Sequence, residues 1–255
     1  MKFLPFLAAL ALLPFSGCAK GPSDGGVANN APNRLQVTLN LKGTLSTRAY
    51  YAIAFDEDRT EGPKAILSGS RRADEVIPLN GIVGGSFRFA VIYEAGIFTV
   101  YRRPNPTSPN LEIVERTSLP FVSGQLPRAS SNAISFTLNL DARDGQNNFY
   151  FTHDAGGNFI PSQLRINAIA TTRPSAQDIR IRPIDALGGS PALTATPETF
   201  QVTGTRRATI DDDFGAADRQ TNPIPDPSFN NTSDPNYVNF NSLDIRTLDL
   251  NLVRG

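Results

Sequence analysis

The sequence predicts an all-β fold, an antiparallel β-sandwich of the Ig-like or jelly-roll-like kind, with a β-barrel as the main alternative. Three observations predict it. Apolar and polar residues alternate along several short segments, as in strands with one buried face. No segment carries the i, i+3, i+4, i+7 apolar stripe of an amphipathic helix. The 20 prolines and 20 glycines interrupt the chain at short intervals, which is typical of short strands joined by turns.

The chain begins with a predicted lipoprotein signal peptide, residues 1–17. A short apolar run ends at the small residues Ser16 and Gly17, which stand directly before Cys18, the only cysteine. This motif resembles the bacterial lipobox, with Phe15 where a leucine is usual. Cys18 is therefore the predicted site of lipidation, carrying several acyl chains, palmitate among them. A plain secretory signal is the next alternative, and a retained membrane helix the last, because a span needs about 20 apolar residues.

A flexible tether is predicted at residues 18–33. The segment after the cysteine contains Gly, Pro, Ser, Asn and Asp and almost nothing that could be buried. As a flexible chain it would reach about 20 Å. In lipoproteins sorted by the residue after the cysteine, aspartate tends to retain the protein at the inner membrane, and here that residue is Ala19. We expect a location in the bacterial cell envelope, at the outer membrane if the cell has two membranes.

A single β-sandwich domain is predicted for residues 34–255. Alternation predicts strands with one buried face at residues 35–41 and 134–140, whereas the apolar run at residues 50–55 predicts a strand covered on both faces. A domain boundary at residues 142–147, giving two small β domains, is the alternative.

A β-hairpin is predicted where two aromatic and β-branched runs, residues 87–93 and 97–101, approach each other along the chain. Gly96 between them can take the positive φ that a tight turn needs. Further strands are predicted at residues 148–152, 164–171, 179–184, 200–202 and 243–253.

The last of these strands predicts a β-bulge. Its apolar residues change parity midway: Leu243 and Ile245, then Leu248, Leu250 and Leu252. Because successive side chains alternate between faces, an extra residue near Thr247 is needed to keep all five in the core.

A long irregular insertion is predicted at residues 211–235, where Pro, Asn, Asp and Ser dominate. Its length indicates either a functional insertion or a mobile region. Asp211, Asp212 and Asp213 begin it and are the candidate metal site, for calcium, because a bound cation would relieve the repulsion of adjacent carboxylates. In an exposed turn, water would instead reduce the repulsion between these carboxylates. The sequence predicts no other cofactor.

Composition limits the function. The 24 basic and 24 acidic residues balance, and basic residues occur at most in pairs such as Arg206-Arg207, so nucleic acid is not an expected partner. With Cys18 acylated, no thiol remains for a disulfide, thiol catalysis or a Cys-ligated metal. The expected partners are the membrane, through the lipid anchor, and an envelope protein or a polysaccharide.

His153 is the only histidine and the one candidate for catalysis. A hydrolase would need it as general base beside a nucleophile such as Ser130, Ser131 or Ser162. The one G-x-S-x-G match, residues 21–25, lies in the predicted tether and not at a strand-to-helix elbow. A turn stabilised by His153 and Asp154 is the alternative, so the sequence predicts no catalytic residue.

The six tyrosines include several near strand ends, where a ring can stack on a sugar or a peptide. The chain has no tryptophan, the aromatic residue best suited to that purpose. Packing in the core or at its rim is therefore the alternative for most of the tyrosines.

Several runs occur in a recognisable order along the chain: 50–56, Gly62-Pro63, 100–102, 134–140, 164–172, 185–188 and the closing strand. This order resembles uncharacterised bacterial envelope lipoproteins with a β-sandwich domain. The late strands are faintly similar to family-9 carbohydrate-binding and DOMON-type sandwiches, which implies ligand binding on a sheet face or at the loops. We expect a lipid-anchored, non-enzymatic binding or structural module of unknown ligand. A carbohydrate-binding module is the first alternative and a hydrolase using His153 the second.

Overall fold

The structure is a computed structural model that describes residues 33–57, 62–65, 83–102, 115–116, 120–143, 147–172, 183–187, 198–211 and 242–254. The predicted signal peptide, Cys18 and all of the predicted tether except Asn33 lie outside these residues. So do Asp212, Asp213 and the rest of the predicted insertion.

The described segments contain fourteen strands and no α-helix. The strands are β1 (Arg34–Leu41), β2 (Ala49–Glu57), β3 (Pro63–Ala65), β4 (Val83–Gly85), β5 (Phe89–Glu94), β6 (Ile97–Arg102), β7 (Glu115–Arg116), β8 (Arg128–Ala129), β9 (Ala133–Asn139), β10 (Gln163–Thr172), β11 (Pro183–Ala186), β12 (Glu198–Gln201), β13 (Arg206–Asp211) and β14 (Ile245–Val253). Within these segments, no helix has the length and hydropathy of a membrane span.

Two antiparallel sheets carry the fold. Sheet A has the order β13-β14-β1-β9-β8, and sheet B the order β11-β10-β2-β5-β6-β7 with β12 also paired to β10. Strands β3 and β4 form a separate small sheet. Apolar side chains from both main sheets join in one buried cluster, with Leu35, Val37 and Leu39 of sheet A and Tyr51, Ile53 and Phe55 of sheet B among its members. The predicted antiparallel β-sandwich is confirmed.

The central strand β2 is buried on both faces, as its continuous apolar run predicts. Ile53 and Phe55 point into the sandwich, while Ala52 and Ala54 belong to a second buried cluster on the other face of sheet B. Phe87 lies in this second cluster and is fully buried. The centre of sheet B is therefore buried on both faces, whereas the outer face of β1 in sheet A carries the polar side chains of Gln36, Thr38 and Asn40.

The predicted bulge near Thr247 is confirmed. Asn40 of β1 pairs with Thr247, but the next residue, Leu41, pairs with Ile245, so Arg246 has no opposite residue. Arg246 is exposed, and all five apolar side chains flanking the bulge are buried. One extra residue thus corrects the parity of the strand.

The predicted hairpin is also confirmed, with β5 and β6 joined by Ala95 and Gly96. Both residues have positive φ, 46° and 93°, as a two-residue type I′ turn requires. Ala95 therefore occupies a conformation that glycine or asparagine would adopt at lower cost.

The predicted strand at residues 148–152 is wrong. Phe149 makes one isolated bridge, to Arg143, and no other residue of the segment pairs in a strand. Tyr150 and Phe151 are consecutive and each 1% exposed, whereas a strand would point them to opposite faces. Both rings instead pack on Phe89, so the segment enters the core as a loop.

Candidate functional site

Four side chains meet at one end of sheet A, and we call them the junction cluster: Asn33, Asp141, His153 and Arg254. The topology brings them together. Strand β1 lies between β9 and β14, and its first residue, Arg34, pairs with both Asn139 and Val253. The start of β1 therefore lies beside the ends of two antiparallel neighbours, where the predicted tether would join the domain.

Asp141 is the centre of the junction cluster. Its Oδ2 accepts a hydrogen bond of 2.8 Å from the backbone N–H of Asn33, and its Oδ1 accepts one of 3.0 Å from Asn33 Nδ2. The Asn33 carbonyl in turn accepts from the backbone N–H of Leu140 at 2.8 Å. Asn33 is thus fixed through its backbone and its side chain before β1 begins.

His153 supports Asp141 from the other side. Its Nε2 lies 3.0 Å from Asp141 Oδ1, and its Nδ1 lies 2.9 Å from the carbonyl oxygen of Phe151. Both ring nitrogens are therefore occupied by oxygen atoms of the domain itself. The side chain is 1% exposed. A general base needs a nitrogen that faces the nucleophile, and here neither ring nitrogen contacts a serine.

Two of the three candidate nucleophiles have other hydrogen-bond partners. Ser130 Oγ donates to the carbonyl of Ala133 at 3.4 Å, and Ser131 Oγ lies 3.5 Å from Asn132 Oδ1. These serines and His153 do not form the arrangement that a hydrolase would need.

The carboxylate partner of His153 is Asp141, twelve residues earlier, and not its neighbour Asp154. Asp154 organises its own turn instead, where its Oδ1 accepts from the backbone N–H of Asn158 at 2.9 Å. The side-chain hydrogen bond from Asn158, and then this backbone one, lower the pKa of Asp154. Of the alternative predicted for this pair, a stabilised turn, the structure bears out the part of Asp154, whereas His153 bonds Asp141 instead. No local pattern in the sequence points to Asp141.

An aromatic stack holds the imidazole in place. The rings of Phe149 and His153 are nearly parallel, 11° apart, with centroids 3.6 Å apart. The Arg143 guanidinium lies 3.5 Å from the same Phe149 centroid. Two groups that close to one ring centre must occupy its opposite faces, so the order of the stack is Arg143, Phe149, His153.

Arg254 connects the junction cluster to sheet B. Its Nε and Nη2 donate to the carbonyl oxygen of Val202, just after β12, at 3.0 and 2.6 Å. Its Nη1 lies 3.5 Å from Asn33 Oδ1, and the guanidinium lies 4.7 Å from the Phe159 ring centroid. Partial burial lowers the pKa of Arg254, while the Asp141 carboxylate opposes that change. The end of β14 is therefore bound to both sheets.

The predicted calcium site falls mostly outside the described residues. Asp211 is the exposed last residue of β13, and Asp212 and Asp213 are not described. Within the described segments, no three His, Cys, Asp or Glu side chains group as metal ligands. Calcium binding at this run stays a prediction.

The five described tyrosines pack in the core or against it. Tyr51 and Tyr150 are each 1% exposed, Tyr101 is buried, and Tyr50 and Tyr93 pack on the two apolar clusters. The Tyr51 hydroxyl donates to the carbonyl of Ser242 at 2.7 Å, and burial raises its pKa to about 12. Packing roles for these tyrosines are confirmed, and Tyr237 lies outside the described residues.

A shallow groove of about 320 Å³ lies on the outer face of sheet A, beside β8 and β9. Amide, hydroxyl and guanidinium groups form most of its lining: Gln36, Gln125, Arg128, Ser135 and Thr137. Leu126 stands at the groove and is 77% exposed. The lining of the groove is thus mostly polar, and no local pattern in the sequence predicts it.

Comparison of the chain with protein-family models, with curated proteins and with solved structures found no match.

Replacing Asp141 should loosen the start of β1. In Asp141→Ala, the Asn33 N–H and His153 Nε2 lose their acceptor, at an expected cost of about 1–3 kcal/mol. Hydrogen exchange should accelerate at residues 33–36. Asp154→Ala is the matched control, because the side-chain hydrogen bonds of Asp154 lie within its own turn and their loss should leave residues 33–36 protected. Equal protection in both variants would contradict the role assigned to Asp141.

Proposed function

We propose that this protein is a lipid-anchored module of the bacterial cell envelope, which holds a β-sandwich at the end of a polar tether and acts without catalysis. The junction cluster is the observation that carries the proposal. Asn33, the last residue of the predicted tether, is bound by Asp141 and contacts Arg254. The domain is therefore fixed at the residue where a tether would attach.

The strand that follows Asn33 suits an anchored domain. Strand β1 is the middle strand of sheet A and is paired along its length with β14 and β9. Displacing it would break hydrogen bonds on both of its sides, whereas an edge strand could separate on one side. Attachment through a central strand supports the proposal that the tether holds the domain at a membrane.

The proposed role is binding or structural. His153, the one candidate base, uses both ring nitrogens for Phe151 and Asp141. The polar groove on sheet A is the proposed contact surface for a partner in the envelope, a protein or a polysaccharide. Outer-membrane attachment is proposed where the cell has two membranes, because Ala19 follows the lipidated cysteine.

Substitution of Cys18 tests the anchor. In a bacterial host, the unchanged chain should incorporate alkyne palmitate and partition into the detergent phase, because acyl chains contribute about 0.8 kcal/mol per buried methylene. Cys18→Ser should lose both properties. Ser16→Ala, which keeps a small residue before the cysteine, should retain both. If the unchanged chain stayed unlabelled and remained in the aqueous phase, the proposed lipid anchor would be contradicted.

A further inference from the structure

The edge of sheet A at β13 offers a surface for another strand. Among the described strands, β13 pairs with β14 alone and ends the sheet. Ala208 and Ile210 are half-buried on the core side. The side chains of β13 on the outer face of sheet A are exposed: Arg207, Thr209 and Asp211. The free side of an edge strand presents backbone N–H and C=O groups that can pair with a further strand.

The two ends of β13 carry opposite charges that do not meet within the chain. Arg207 and Asp211 share the outer face, but four residues of extended chain separate them by about 13 Å. Arg207 Nε donates to Asn251 Oδ1 at 3.2 Å. This hydrogen bond does not use the two terminal amino groups of the guanidinium, which can therefore donate to a partner. Asp211 makes no ion pair with another described residue. Among the described residues, neither charge is therefore neutralised by an ion pair.

A second copy of β13 complements these charges in one register. Opposite residues of an antiparallel pair share a face, so two copies related by a two-fold axis at Thr209 place each Arg207 opposite Asp211 of the other copy. The same register places Ala208 opposite Ile210 on the core side. A shift by two residues in either direction preserves the faces but removes both ion pairs. The charges thus select a single register.

We propose that two copies of this protein pair antiparallel through β13, so that their five-stranded sheets A join into one continuous sheet across a two-fold axis. The partner is a second copy because the charge pattern of β13 complements itself. Lipid anchoring would concentrate copies on one surface, but the pairing does not depend on it.

Cross-linking tests the register. The full chain carrying Cys18→Ser and Thr209→Cys has a single thiol. In the proposed dimer, residue 209 of one copy lies opposite residue 209 of the other, with their Cα atoms about 4.5–5.5 Å apart, and a disulfide can span that distance. Mild oxidation should give a disulfide-linked dimer. Thr38→Cys in the same background is the control, because Thr38 lies in the same row of sheet A two strands inward, so its copies would be about 24 Å apart. No dimer for Thr209→Cys, or equal dimer for both variants, would overturn the proposal.

Charge exchange provides the second test, by sedimentation of the full chain with Cys18→Ser at low salt. Arg207→Asp places aspartate opposite aspartate, and Asp211→Arg places arginine opposite arginine. Each single variant should raise the dimer Kd roughly tenfold or more, because two attractive pairs become repulsive. An equimolar mixture of the two variants should dimerise again, since every opposed pair is then Asp with Arg. Single variants that dimerise as tightly as the unchanged chain would refute the register, and a monomeric unchanged chain would refute the pairing.

Discussion

Deletion of Arg246 should lower the free energy of unfolding of the domain by at least about 3 kcal/mol. Without the extra residue, strand β14 keeps one parity throughout, so either the two apolar residues before the bulge or the three after it turn to the polar outer face. Burial of each such side chain contributes about 1.5–3 kcal/mol, so exposing even two costs about 3–6 kcal/mol. A domain of this size has only about 5–15 kcal/mol of stability.

The residues before the bulge cannot easily absorb the deletion. The Tyr51 hydroxyl holds the Ser242 carbonyl at 2.7 Å, and the buried Asp185 accepts from the backbone N–H of Ile245 at 2.6 Å. Sliding this segment by one residue would break both hydrogen bonds. Urea denaturation followed by circular dichroism measures the effect. Arg246→Ala, which keeps the residue count and alters only an exposed side chain, should change stability by less than about 0.5 kcal/mol. A deletion variant as stable as this control would contradict the role of the bulge.

The sequence predicted this bulge because its cause is local. Parity along one strand can be counted from residue numbers, and Leu243 to Leu252 cannot all face one core without an extra residue. The same period of two predicted β1 and β9, and the continuous apolar run of β2 predicted burial on both faces. Features whose cause lies within one strand can therefore be predicted from the sequence.

Strand β13 and the junction cluster cannot be predicted from the sequence in this way. Strand β13 is an edge strand with only Ala208 and Ile210 half-buried, so it needs little apolar alternation, and its charged ends resemble a loop. The Asp141–His153 contact joins two loops that only the sheet topology brings together. Neighbouring Asp154 is the more obvious partner in the sequence, but its carboxylate accepts hydrogen bonds from Asn158 instead.

Phe89→Ala should cost about 3–5 kcal/mol, because truncating a buried phenylalanine removes its burial and leaves a cavity. Phe89 is fully buried. Its ring stacks on Phe55, with centroids 5.0 Å apart, and meets the edges of Phe151 and Tyr150 at 5.1 and 6.1 Å. The substitution thus removes a contact within sheet B and the surface on which the loop at residues 148–152 packs.

That loop transmits the effect to the junction cluster, because the Phe151 carbonyl holds His153 Nδ1 at 2.9 Å. We therefore expect Phe89→Ala to lower the midpoint of urea denaturation and to accelerate hydrogen exchange at residues 150–153. Phe89→Leu, which keeps most of the volume, should cost less than about 1.5 kcal/mol. Ile97→Ala, on the same sheet but 66% exposed, should change stability by less than about 0.5 kcal/mol. If Phe89→Ala matched Ile97→Ala in stability, the aromatic cluster would not support the loop. If stability fell while residues 150–153 stayed protected, Phe89 would support the sheet but not the loop that positions His153.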